Sequence, residues 1–129
     1  MSKRPSVLVI EDEYCLQADL ERALSNAGFG TEIVSSGEEA LTLLMGAKIK
    51  CAALVTDVRL RGSLSGWETA RRIRTREPTF PVIYVTAAAA QEWSVEGVPN
   101  SVLISKPFAD AQLITALSNL LNVGMPPSA

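Results

Sequence analysis

An apolar run of the length of a buried strand ends in a single carboxylate in the stretch Leu54-Val55-Thr56-Asp57-Val58-Arg59-Leu60. The segment after it, Arg61-Gly62-Ser63-Leu64-Ser65-Gly66, is rich in turn-forming residues. In a parallel α/β sheet, binding and chemistry occur in the crevice outside the carboxyl ends of the strands. Asp57 lies at such an end. A lone carboxylate there either caps the next helix or belongs to a site, so its meaning depends on the rest of the chain.

Four further segments have the composition of strands, and they alternate with helical patterns. Thr31–Val34 alternates polar and apolar residues, which is typical of an edge strand, whereas the other strand segments are mainly apolar. In chain order the predicted strands are Val7–Ile10, Thr31–Val34, Cys51–Thr56, Pro81–Val85 and Ser101–Ile104. Apolar periodicity and breakers predict helices over Glu13–Ala27, Ser36–Ala47, Ser65–Thr75 and Asp110–Asn122, with a short or irregular one from Ala87 to about Glu92.

This alternation predicts an α/β fold, a (βα)5 doubly wound parallel sheet of the flavodoxin-like type with helices on both faces. The edge-like second strand and the four apolar strands fit the order 2-1-3-4-5. The length of 129 residues suits one domain, residues 1–129. We expect its core over about residues 5–122 and a flexible tail over residues 123–129.

The composition excludes several classes of function. A net charge of −2 provides no positive surface for nucleic acid or an anionic membrane. No apolar run reaches the ~18 residues of a membrane span, and the N-terminus lacks a secretory signal. Cys15 and Cys51 lack metal-type spacing, so we expect reduced, buried or half-buried thiols in a cytoplasmic protein. The absence of histidine excludes histidine-based acid–base catalysis and histidine metal ligands.

Polar residues gather at the ends of the predicted strands. Glu11 and Asp12 follow the first strand, Asp57 the third, Thr86 the fourth and Lys106 the fifth. In the order 2-1-3-4-5 the first and third strands are neighbours, so the three acids converge on one spot. Crowded carboxylates need compensation, and oxygen ligands of this kind favour Mg²⁺. A carboxylate is also a competent nucleophile for a phosphoryl group, whose oxygens the lysine and the hydroxyl can contact.

This set of residues, from Glu11-Asp12 and Asp57 to Thr86-Ala87 and Lys106-Pro107-Phe108, resembles the receiver domain of two-component response regulators, of the single-domain CheY-like type. The resemblance covers about residues 5 to 122. Each motif is weak alone, but their order at successive strand ends is specific.

The resemblance implies a role for each residue. Asp57 would be the phospho-acceptor, supplied by a histidine kinase, a phosphotransfer protein or a small phosphodonor. Asp12 would bind Mg²⁺ directly and Glu11 through water, while the family also uses the backbone carbonyl two residues after the acceptor, here that of Arg59. Lys106 would pair with Asp57 and then with its phosphoryl group, and Thr86 would hydrogen-bond that group. The resemblance also implies a cis peptide bond between Lys106 and Pro107.

The chain departs from the family at the residues that transmit the signal. The family places a switch aromatic three positions before the lysine, and this chain has Leu103 there. Tyr84, two residues before Thr86, is a possible substitute. The family often has proline four residues after the acceptor, where this chain has Arg61. Arg59 could shield the phosphoryl group from water. Trp93 lies near the family's output face, although packing is the commoner role of tryptophan.

The prediction is therefore a stand-alone receiver that catalyses only its own phosphorylation and dephosphorylation. Its output would be a protein–protein contact on the face of the fourth helix, fifth strand and fifth helix, with no nucleic acid and no membrane involved. Ile114 and Leu121 either support a homodimer on that face or belong to the core. The main alternative is a degenerate receiver that acts unphosphorylated as a scaffold. A carboxylate-nucleophile phosphatase is disfavoured because Arg59 occupies the position of the second acid. An FMN carrier is disfavoured because Glu11-Asp12-Glu13 would repel phosphate.

Overall fold

Five short apolar segments form strands in the computed structural model, which describes residues 5–122. They are β1 (Ser6–Ile10), β2 (Gly30–Val34), β3 (Ala53–Asp57), β4 (Val82–Thr86) and β5 (Val102–Ser105). The strands form one parallel sheet in the order β2-β1-β3-β4-β5. The predicted doubly wound α/β fold is therefore confirmed, including its strand order. The predicted tail, residues 123–129, lies outside the described residues.

The connections contain helices, and two of them begin at a side-chain cap. They are α1 (Tyr14–Asn26), α2 (Gly37–Met45), α3 (Gly66–Arg76), α4 (Trp93–Glu96) and α5 (Asp110–Asn122). The Ser36 hydroxyl accepts a hydrogen bond from the Glu39 N–H at the start of α2, and Ser65 and Glu68 form a reciprocal capping box at α3. As predicted, the fourth helix is short, but it begins later than Ala87, as a 3₁₀ turn over Ala90–Glu92 that leads into α4.

Apolar side chains from the two faces of the sheet form two core clusters. The first cluster includes Leu8, Leu54 and Tyr84, with Trp67 and Ile73 from α3. The second includes Val9, Val55 and Ile83, with Leu113 and Leu117 from α5. Alternate residues of each central strand thus enter opposite clusters, which is why those strands are apolar throughout. Trp67 is a packing residue, since its ring lies 4.5 Å from that of Tyr84 and 5% of its surface is exposed.

One prediction about burial is wrong. Cys15 is exposed rather than buried or half-buried, because it lies in the first turn of α1 with the solvent-facing residues Glu13 and Tyr14. Cys51 is half-buried, and burial raises the pKa of its thiol to about 11.

None of the helices within residues 5–122 combines the length and the apolar character that crossing a bilayer requires.

Candidate functional site

Three carboxylates meet where β1 and β3 end side by side. Glu11 and Asp12 directly follow β1, and Asp57 is the last residue of β3. The two strands are paired in parallel, with Ile10 opposite Thr56, so both chain ends arrive at the same edge of the sheet. One carboxylate oxygen from each of the three acids lies within 4.8 Å of the others. The structure thus brings together the acids that the sequence placed at strand ends.

Lys106 compensates two of these acids. Its Nζ donates to Asp57 Oδ2 at 3.0 Å and to Glu11 Oε1 at 3.1 Å. Burial raises the pKa of the Glu11 carboxyl above its ordinary value, although the charge of Lys106 opposes that shift. Burial also lowers the pKa of Lys106, but the hydrogen bond and charge of Asp57 together with Glu11 outweigh it and hold that pKa above its ordinary value. The lysine therefore stays cationic between the two carboxylates.

Thr86 ends β4, next to β3 in the sheet, and is 2% exposed. Its Oγ1 accepts hydrogen bonds from the N–H groups of Ala88 at 3.2 Å and Ala89 at 3.0 Å. A hydroxyl has two acceptor positions and one donor. Because both acceptor positions are engaged by the turn, the remaining capacity of this hydroxyl is to donate.

Hydrogen bonds within the acid cluster distinguish its members. Glu11 accepts at both oxygens, from Lys106 and from the Glu13 N–H at 3.1 Å. The hydrogen bonds to Asp12 and Asp57 instead engage Oδ2 of each residue. Among the described residues, Oδ1 of both aspartates therefore remains available to a ligand. Glu13 is exposed and lies outside this cluster.

The sequence did not predict three contacts around the loop that follows Asp57. The Arg61 N–H donates to Asp12 Oδ2 at 3.0 Å, and the Arg59 guanidinium lies 3.6 Å from the Glu92 carboxylate. Gly66 begins α3 so close to the backbone of Asp57 that a Cβ would collide with the Asp57 carbonyl oxygen. The only sequence indication of the last contact was a glycine placed directly after the helix cap; the other two have no local pattern.

The residues expected to transmit a signal occupy distinct environments. Leu103 is half-buried against the first core cluster and lies opposite Tyr84 in the β4–β5 register. Tyr84 is fully buried, and its hydroxyl accepts a hydrogen bond from the Val98 N–H at 3.1 Å. Burial raises the pKa of Tyr84, although that hydrogen bond opposes the shift. The ring of Tyr84 therefore lies inside the core, and its hydroxyl is hydrogen-bonded to the segment before β5.

Residues at the other end of the predicted output face are more exposed. Trp93 is 38% exposed, and its Nε1 donates to the Ser101 hydroxyl at 3.0 Å. Pro107 is exposed, and the Lys106–Pro107 peptide bond is cis. Ile114 and Leu121 are partly buried against the second core cluster. Their contacts favour the core role that the sequence left open for them.

Comparison with known proteins agrees with this geometry. Residues 7–118 match the model of the response regulator receiver domain. The transcriptional regulatory protein FixJ of Bradyrhizobium diazoefficiens is 27% identical over 128 residues, which cover 98% of this chain and 61% of FixJ. This chain thus spans less than two thirds of that relative.

Solved structures of receiver domains are also similar. A response regulator receiver protein from Sinorhizobium medicae WSM419 is 40% identical, with a TM-score of 0.89, over 94% of this chain and 97% of that one. The receiver domain of the sensor histidine kinase PA1611 from Pseudomonas aeruginosa PAO1 is 26% identical, with a TM-score of 0.78, over 93% and 99% of the two chains. That structure has a magnesium ion coordinated in its active site cleft. With its strand order, its acid cluster and its matched residues, the chain belongs to the response regulator receiver domain family.

Proposed function

We propose that this receiver accepts a phosphoryl group on Asp57 from a histidine kinase, a phosphotransfer protein or a small phosphodonor, in a Mg²⁺-dependent reaction. The observation that carries the proposal is the convergence of Asp57, Glu11 and Asp12 within 4.8 Å. A carboxylate is a competent nucleophile for a phosphoryl group. An oxygen of Asp57 forms the new bond to phosphorus while the bond from phosphorus to the donor breaks, so the product is an aspartyl-phosphate.

The donor set fits Mg²⁺, which prefers hard oxygen ligands and keeps several waters. Asp12 and Asp57 would bind it directly through Oδ1, together with the backbone carbonyl of Arg59. Glu11 would hold a metal-bound water, because both of its oxygens already accept hydrogen bonds. When bound, the ion neutralises charge on the transferred group. The magnesium ion in the active site cleft of the PA1611 receiver supports this assignment.

Lys106 and Thr86 would act on the oxygens of the phosphoryl group. Lys106 already lies 3.0 Å from Asp57 Oδ2, so its ammonium needs only a small movement to reach a group attached to that carboxylate. Thr86 has its donor capacity left after Ala88 and Ala89 have engaged its acceptor positions. Donation from Thr86 would draw its side chain toward the phosphoryl group. Charge-assisted hydrogen bonds of this kind are about twice as strong as neutral ones.

The proposal is tested by incubating the protein with acetyl phosphate and MgCl₂, followed by intact mass and Phos-tag mobility. The expected result is a gain of one phosphoryl group, about 80 Da, as a labile acyl-phosphate adduct. An excess of EDTA should prevent the gain, because three crowded carboxylates need the cation to receive a further anion. Modification to the same extent in EDTA would contradict the role given to Mg²⁺.

Phosphorylation would shift a two-state equilibrium and change the face formed by α4, β5 and α5, where a downstream protein binds. The exposure of Trp93 at 38% and of Val95 at 81% supports an interaction on α4. A homodimer on the same face would rest on these two side chains rather than on Ile114 and Leu121. We propose that the chain makes no direct contact with nucleic acid and that it is located in the cytoplasm. It would catalyse only its own phosphorylation and dephosphorylation.

A second candidate is a receiver that works unphosphorylated as a scaffold. The specific observation in its favour is the position of the aromatic ring. Leu103 occupies the switch position, while Tyr84 is already buried and hydrogen-bonded to Val98. Failure of the folded protein to gain a phosphoryl group from both acetyl phosphate and a kinase would favour the scaffold.

Arg59→Ala is expected to speed autodephosphorylation by roughly 3- to 5-fold. The Arg59 guanidinium is exposed and pairs with Glu92 at 3.6 Å, so a phosphoryl dianion on Asp57 can compete for it. The arginine would then cover the group against water. We expect a change in rate of only this size because an exposed ion pair contributes at most about 1 kcal/mol. The measurement is the loss with time of the adduct of about 80 Da, after removal of the phosphodonor.

Glu92→Gln is the matched control, because it breaks the same ion pair but leaves the arginine free to reach the phosphoryl group. We expect this variant to dephosphorylate no faster than the wild type. Equal rates for Arg59→Ala and the wild type would remove the shielding role.

A further inference from the structure

The loop between β3 and α3 contacts the acid cluster through one backbone donor. The Arg61 N–H donates to Asp12 Oδ2 at 3.0 Å, and the Arg61 guanidinium lies 3.8 Å from the same oxygen, with its side chain 87% exposed. A proline at this position would have no N–H to donate. Arg61 therefore gives Asp12 a fixed backbone partner on Oδ2 and leaves Oδ1 available to a ligand.

The loop is itself held from outside by Glu38, in the first turn of α2. The Ser63 N–H donates to Glu38 Oε2 at 2.8 Å. Gly62 has a φ of +99°, and a Cβ on it would lie 3.0 Å from Glu38 Oε1. Only glycine combines that backbone conformation with so close an approach of a carboxylate. The nearby N–H groups of Glu38 itself and of Ser63 hold the pKa of the Glu38 carboxyl below its ordinary value.

The Glu38 carboxylate makes its contacts with the loop. Its Oε2 accepts from Ser63, and its Oε1 has no hydrogen-bond partner among residues 5–122. The side chain of Glu38 thus contacts the loop that precedes α3 rather than its own helix. The neighbouring Glu39 differs, since it is exposed and accepts at 3.1 Å from the N–H of Ser35, two residues before α2.

We propose that Glu38 is a positioning residue for Asp12, acting through the loop of residues 61–63. Glu38 holds Ser63 and Gly62, the loop presents the Arg61 N–H, and that N–H orients the Asp12 carboxylate for Mg²⁺. A ligand that is already oriented loses less conformational freedom when the ion binds. This inference rests on the proposed Mg²⁺ site and adds a residue from α2 to it.

The test is a titration of the ¹⁵N-labelled full chain with MgCl₂, followed by amide chemical shifts. Glu38→Ala should raise the half-saturating Mg²⁺ concentration by about 3- to 10-fold, at the low end of losses seen when partners of metal ligands are removed. Glu38→Gln should stay close to the wild type, because its amide oxygen still accepts from Ser63. Glu39→Ala removes the same charge from the same helical turn and should leave the affinity unchanged.

A second pair of variants tests the route through the loop. Arg61→Ala keeps the backbone N–H and should preserve Mg²⁺ affinity, whereas Arg61→Pro removes the N–H and should weaken it. In the Arg61→Pro background, Glu38→Ala should add little, because residues that act through one contact are not additive. At saturating Mg²⁺ the rate of phosphorylation by acetyl phosphate should be the same for Glu38→Ala and the wild type. A general loss of structure would lower that rate as well.

The outcomes separate this inference from the proposed function. Absence of Mg²⁺ binding by the wild type would overturn both. Normal binding by the wild type with equal affinity in Glu38→Ala would overturn the positioning role alone. Equal weakening by Glu38→Ala, Glu38→Gln and Glu39→Ala would also overturn it, because the effect would then be one of charge.

Discussion

Asp57→Asn is expected to abolish the phosphoryl gain from acetyl phosphate, to at least about a hundredfold below the wild-type level, because the amide has no nucleophilic carboxylate oxygen. Asparagine has nearly the same shape, so the collapse of activity would come from chemistry rather than from packing. The neutral amide oxygen can still accept from Lys106 Nζ, which lies 3.0 Å from Asp57 Oδ2 in the wild type. Intact mass after incubation with Mg²⁺ measures the loss directly.

Asp19→Asn is the control for this experiment. Asp19 is an exposed acid on α1 that forms an ion pair of 3.0 Å with Arg22. The hydrogen bonds of Lys106 go to Asp57 and Glu11 and not to Asp19. Its loss should leave the gain of mass unchanged. Substantial modification of Asp57→Asn would place the acceptor on another residue, with Asp12 as the first to examine by peptide mapping.

Lys106→Met should lower the free energy of unfolding at pH 7 by about 2 kcal/mol. Removing one partner of a fully buried ion pair costs about 3–5 kcal/mol, and partial exposure reduces that figure. The Lys106 side chain is 18% exposed and Glu11 is 1% exposed, so mainly Glu11 would be left as a buried carboxylate without its cation. Urea unfolding in the presence of EDTA measures the difference.

The pH dependence of this loss has a definite sign. The pKa of Glu11 is raised in the folded protein, so its contribution to stability is present at low pH and is lost as the pH rises through the folded value. Lys106 opposes that rise, and its removal should raise the pKa of Glu11 further. The stability deficit of Lys106→Met should therefore be largest near neutral pH and should shrink below about pH 4.3, where glutamate is protonated in the unfolded chain.

Two additions sharpen the interpretation of the lysine variant. Lys48→Met makes the same substitution at an exposed position and should change the unfolding free energy by less than about 0.5 kcal/mol. Millimolar Mg²⁺ should restore part of the stability of Lys106→Met, because the ion supplies positive charge to the same carboxylates. A deficit that is equal at every pH would show that lost packing of the lysine stem, and not charge, is the cause.

The fold could be predicted because its determinants are local. Apolar strands of a few residues, capped helices and breakers recur along the chain in a regular alternation, and parallel connections leave few topologies open. Thr31–Val34 was recognised as an edge strand from alternation alone, and β2 lies at the edge of the sheet. The error at Cys15 fell in the first turn of a helix, where periodicity does not yet indicate which side faces the core.

The gathering of the candidate site's side chains could also be predicted, because parallel strands deliver their carboxyl ends to one edge of the sheet. Glu11, Asp12, Asp57 and Lys106 are brought together as that rule requires. The rule does not describe how the loops run afterwards. It therefore could not predict that Arg61 donates to Asp12 or that Tyr84 is hydrogen-bonded to Val98.

Strand order, capping and the gathering of acids thus follow from the amino-acid sequence, since each depends on short patterns and on the handedness of the chain. The contacts from Glu38 to Ser63 and from Arg59 to Glu92 join residues from different elements. Such contacts depend on the path of two loops at once and on how closely their backbones approach. That approach is a property of the packed molecule, and for this reason only the folded chain shows that α2 reaches the loop beside the acid cluster.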